Sequence, residues 1–77
     1  FMNTDRSLTE LKRGQCAQVH ALLATGSMRR RLQDIGLIEG TRVECLHKSP
    51  AGDPVAYLIR GAVIALRAED SATVLVH

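Results

Sequence analysis

Residues 27–40 read SMRRRLQDIGLIEG. At 100° per residue, Met28, Leu32 and Ile35 fall on one side of a helix, and Arg29, Arg30, Gln33 and Asp34 fall on the other. The stretch is therefore a short amphipathic helix. Ser27 is the expected N-cap, with a hydroxyl to accept from a free N–H of the first turn, and Gly36 is the expected left-handed residue just past the end. Leu37 then closes over Leu32, the apolar contact of a Schellman ending, and Gly40 lets the chain turn into a strand. With that start, Arg29 to Arg31 lie in the first turn, where the dipole disfavours exposed cations by roughly 0.3–1 kcal/mol each. Arg30 can pair with Asp34, in the weaker of the two orientations. Such a run is ordinarily a solvated face; otherwise nearby carboxylates offset the cost or the arginines face a partner.

No other multi-turn helix is convincing, and the flanking sequence alternates instead. Residues 41–48 put Val43, Cys45 and His47 on one face, with Arg42, Glu44 and Leu46 opposite. Residues 49–54, SPAGDP, form the clearest loop in the chain, in which Asp53 can bond backbone beyond it. Pro54 can open a strand but cannot occupy its middle, so a return strand is expected over 55–60. Arg60, Gly61 and Ala62 make a tight turn into a strand over 63–67, residues 68–71 a single helical turn, and residues 72–76 a last strand. Upstream, residues 15–23 read as a strand with Ala17, Val19, Ala21 and Leu23 on one face and Cys16, Gln18, His20 and Leu22 on the other. Before it, Ser7 and Glu10 have the spacing of a capping box for a short helical turn that tucks Leu8 and Leu11 inward.

About five short strands with tight connections leave no room for the long crossovers of a parallel sheet. The expected fold is mainly β: a small, strongly bent antiparallel barrel that hides its edges, with one inserted amphipathic helix and a short N-terminal helical turn.

With 77 residues the chain is expected to be one domain, 1–77. A chain of this size buries only about 60% of the surface its unfolded form exposes, which leaves little room for an enclosed active site. The apolar fraction of 45% and charged fraction of 23% are those of a globular protein. The apolar runs 21–24 and 62–66 are far short of the roughly 20 residues of a membrane span, so no membrane insertion is expected. The N-terminus lacks a leader pattern, which predicts a cytoplasmic chain, and Phe1 ahead of Met2 reads as a residue left by expression. The net charge of +2 is a weak footprint for nucleic acid, which is not expected as a partner. The two cysteines, Cys16 and Cys45, form neither CxxC nor zinc-knuckle spacing and are expected to be buried, reduced thiols.

Catalysis is not expected. The hydroxyls sit at caps and turns, the carboxylates are dispersed, and there is no glycine-rich phosphate loop. Tyr57 is the single aromatic besides Phe1, too few for a polyproline groove or a base-stacking platform. No cofactor is required. Cys45 and His47 lie two apart on one predicted face, with His20 near if the strands pair, and together they would offer a weak transition-metal site for Fe2+ or Zn2+. His77 is expected to fray.

Three pieces in order resemble a known family: Arg29 to Gly40 (RRRLQDIGLIEG), Ser49 to Val55 (SPAGDPV) and Val63 to Arg67 (VIALR), after an opening Leu8-x-x-Leu11-x-x-Gly14. The pattern is similar to that of the ferrous iron transport protein A family, FeoA, and covers essentially the whole chain. The resemblance implies an SH3-like barrel and a small cytoplasmic accessory protein of bacterial ferrous iron uptake. It implies action on the ferrous iron transporter protein B, a large membrane permease with a cytoplasmic GTP-binding domain. Arg29, Arg30, Gln33, Gly52 and Asp53 are then the expected partner contacts. Similar SH3-like domains also form the C-terminal part of iron-dependent transcriptional repressors, the alternative reading. Against it, the chain carries no helix-turn-helix, and its capped start near Ser7 suggests a free-standing protein. The short edges permit a homodimer, but no long exposed apolar stripe demands one.

Overall fold

The computed structural model of the chain describes residues 6–77. Its elements are β1 (Arg6–Ser7), a 3-10 turn (Leu8–Glu10), β2 (Cys16–Leu22), α1 (Gly26–Asp34), β3 (Arg42–Lys48), β4 (Val55–Ile59), β5 (Ala62–Leu66), α2 (Ala68–Ser71) and β6 (Val74–Val76). Neighbouring strands pair antiparallel in the order β1-β6-β2-β3-β4-β5. The mainly β fold with one inserted helix is as expected from the sequence. Two details differ. A sixth strand, β1, pairs Arg6 with Val76 and Ser7 with Leu75. The sheet is also not closed among the described residues, because β1 and β5 end it without pairing to each other.

The core is aliphatic around one aromatic. Leu8, Val19, Leu37, Val43, Cys45, Ile59 and Val74 are fully buried, and Tyr57 lies among them, donating to the Leu8 carbonyl at 3.3 Å. Leu8 and Leu11 are tucked inward as expected, and the Glu10 carboxylate accepts from the Ser7 N–H at 3.1 Å.

The end of α1 is written in the sequence and its start is not. Gly36 has φ +107, its N–H donates to the Gln33 carbonyl and the Leu37 N–H to the Leu32 carbonyl, both at 3.0 Å. These are the two bonds of a Schellman ending, and the Leu32 and Leu37 side chains are both buried. At the other end Thr25, not Ser27, is the N-cap, and its carbonyl accepts from the Arg29 N–H at 3.4 Å. The helix thus begins two positions earlier than the Ser27 cap implies. Arg29 and Arg30 therefore lie beyond the first turn and Arg31 lies in the last turn, where the dipole favours a cation. The expected electrostatic penalty is largely removed.

Two bulges redirect side chains. Val19 pairs with Val76 and Ala21 with Leu75, so His20 is an extra residue in β2. Beyond it the alternation inverts: Leu22 packs against the core, while Leu23 is 61% exposed instead of continuing the Ala17 and Val19 face. In β3, Cys45 pairs with Tyr57 and His47 with Ala56, which makes Leu46 the extra residue. Cys45 is buried, but His47 does not continue its face and is exposed.

Two hairpins shape this half of the sheet, and the first of them is tied to α2. Arg60 and Gly61 have φ of 51° and 85°, the pair of positive values that a primed two-residue turn between β4 and β5 needs. In the 49–54 loop the Gly52 N–H donates to the Ser49 carbonyl at 2.8 Å. The Asp53 carboxylate accepts from the Ala68 N–H, also at 2.8 Å, at the start of α2. The expected single helical turn over 68–71 is present, and the Ala72 N–H still bonds back to Ala68 at 2.9 Å, so β6 begins later than residue 72.

Candidate docking surface and metal donors

α1 divides its polar residues between two flanks. On one, Arg29 and Gln33 line a cleft of about 390 Å³ with His20, Leu22, Ile38 and Glu39. Arg29 is committed there, because its Nη1 donates to the Leu22 carbonyl at 3.0 Å and ties the helix to the end of β2. On the other flank, Met28 and Arg31 border a hollow of about 240 Å³ with Ala65, Arg67, Glu69 and Asp70. Arg30 is exposed, as is Gln33. Of the predicted contact residues, Arg30, Gln33 and Gly52 are presented outward, whereas Arg29 and Asp53 also hold the fold through the bonds just described. Ile38, 45% exposed, adds apolar surface to the cleft.

The three metal donors proposed from spacing are not brought together. Cys45 is inside the core, where burial pushes its thiol above the ordinary value of 9.0. His47 turns away at the Leu46 bulge, and His20 stands exposed on β2. Among the described residues no group of three His, Cys, Asp or Glu side chains is placed to hold a metal ion. His20 has a different neighbour: its ring centroid is 5.1 Å from that of His77. Fraying of His77 is corrected by the same region, since its N–H donates to Gln18 at 2.9 Å and its carbonyl accepts from Gln18 at 3.0 Å.

Cys16 is exposed rather than buried. The strand alternation carried that signal by placing it opposite Ala17 and Val19. An Arg42 Nη2 donates to its Sγ at 3.4 Å, and this bond above all holds the guanidinium above its ordinary range.

An antiparallel sheet of six short strands, with one helix between the second and third, makes this a small SH3-like β domain. Residues 6–77 match the FeoA domain, and the chain belongs to that family. It is 32% identical over 70 residues to the Fe(2+) transport protein A/Fe(2+) transporter FeoB fusion protein of Porphyromonas gingivalis. That match covers 91% of this chain, which spans only 8% of the fusion protein's length. The solution structure of the Chlorobium tepidum FeoA protein superposes with a TM-score of 0.86 at 35% identity, over 92% of this chain and 68% of that one. Stenotrophomonas maltophilia FeoA, solved in complex with zinc, gives 0.82 at 28% identity, over 92% of this chain and 88% of that one. A manganese-dependent transcriptional repressor shares the fold, with a TM-score of 0.84, at 19% identity. Among the described residues no helix is long and apolar enough to cross a membrane.

Proposed function

We propose that this chain is a small cytoplasmic accessory domain of bacterial ferrous iron uptake that docks on the GTP-binding region of the membrane iron transporter. The observation that carries this reading is the fusion protein of P. gingivalis, in which a segment 32% identical to this chain is joined to a FeoB transporter in one polypeptide. Covalent linkage supports a working contact between the two parts, because joined modules meet at a high effective concentration. It favours the transporter-accessory reading over that of a modulatory domain of a transcriptional repressor, whose likeness is one of fold.

The contact surface is the outward side of α1, with Arg30 and Gln33, together with the tip of the 49–54 loop at Gly52. Arg30 is the better probe of docking, because Arg29→Glu would also break the bond to Leu22. In a strain deleted for the chain, ferrous iron uptake is restored by the wild-type gene and is reduced severalfold with Arg30→Glu at equal protein level. Full restoration by the Arg30→Glu, Gln33→Glu double variant would remove α1 as the contact.

A further inference from the structure

The pairing of β2 with the end of the described chain brings two histidines onto one face. Gln18 and His77 face one another as a doubly bonded backbone pair, and His20 lies two positions along β2 from Gln18. His20 is thereby a diagonal neighbour of His77, with ring centroids 5.1 Å apart and planes tilted by 39°. Both side chains are exposed.

We propose that His20 and His77 form a two-imidazole chelate for a divalent transition-metal ion. The spacing is what joint coordination requires. With a metal–nitrogen bond of about 2.1 Å and the ring centre about 1.2 Å beyond the nitrogen, coordination angles between octahedral and tetrahedral put the centroids about 4.7–5.4 Å apart. The observed 5.1 Å falls inside that window, and the rings are tilted by 39° rather than stacked flat. The His77 backbone is held by its two bonds to Gln18, and His20 lies between Val19 and Ala21, both paired with β6. Imidazole donors suit Zn2+ and Fe2+. No third His, Cys, Asp or Glu joins the pair among the described residues. The cleft at whose edge His20 stands carries Arg29 and Glu39, whose opposite charges leave no net barrier to a cation. The site differs from a grouping of His20 with Cys45 and His47, and it does not depend on the transporter reading.

The test is calorimetric titration of Zn2+ into the untagged chain, with His20→Gln, His77→Gln and His47→Gln as variants and circular dichroism to confirm folding. One Zn2+ per wild-type chain is expected, with binding weakened about tenfold or more in each of the first two variants and unchanged in His47→Gln. No binding to the wild type, wild-type binding by folded His20→Gln or His77→Gln, or loss in His47→Gln would overturn the proposal. Zinc-induced shifts of the His20 and His77 ring resonances in NMR spectra, with those of His47 unmoved, give the same answer without any variant.

Discussion

Gly36 concentrates several constraints in one residue. It is buried at φ +107, and a Cβ there would lie 2.7 Å from the Arg60 Cδ and 3.3 Å from the Ile59 Cγ2. The Arg60 stem can move aside, but the left-handed backbone cannot be relieved without undoing the Schellman ending. Gly36→Ala is expected to cost about 1–3 kcal/mol, read as a lower urea midpoint with an unchanged slope. Cys45 makes a second residue-scale prediction. Burial raises its thiol above 9.0, so the unfolded chain gives up that proton first. The stability tied to the neutral thiol is complete below 9.0 and declines as pH rises through the folded-state value; Tyr57, also raised by burial from 10.0, adds to the decline. A Cys45→Ala variant has a lower midpoint at neutral pH but a flatter decline on the alkaline side. The Gly36, Leu37 and Leu32 ending was legible because it depends on residues adjacent in sequence. The face of His47 was not, because a bulge is set by how β3 matches its partner strand.

At the scale of elements, the Asp53 carboxylate fastens the 49–54 loop to α2 across the molecule, accepting from Ala68 at 2.8 Å. Removing such a cap ordinarily costs about 0.5–2 kcal/mol. Asp53→Ala is expected to fall in that range and to raise amide exchange at Ala68 and in the loop, leaving β2 unaffected. Equal exchange in both regions would contradict a local cap. The proline and glycine punctuation made the loop readable, and alternation with turn chemistry located five of the strands within a residue or two. β1 was missed because two residues carry no periodicity. The start of α1 was misplaced because Thr25 and Ser27 are both acceptable caps, and only the Thr25 carbonyl bond to Arg29 decides between them. That shift matters for function, since it takes away the dipole argument for a partner at the arginines and leaves exposure as their qualification.

For the whole molecule, the open antiparallel sheet holds a small core and leaves α1 displayed on its surface. The fold class and the family were legible in the sequence, through turn residues and an ordered set of motifs. The paired histidines were not, since a strand pairing between distant parts of the sequence creates that juxtaposition. The central claim is docking of the α1 surface on the iron transporter, and its most direct measurement is the affinity of the detergent-solubilised transporter for the wild-type chain and for Arg30→Glu. The account predicts saturable wild-type binding that weakens about tenfold or more in the folded variant, as loss of a contact worth about 1.4 kcal/mol requires. Absence of wild-type binding, or equal affinity of the Arg30→Glu, Gln33→Glu double variant, would contradict it.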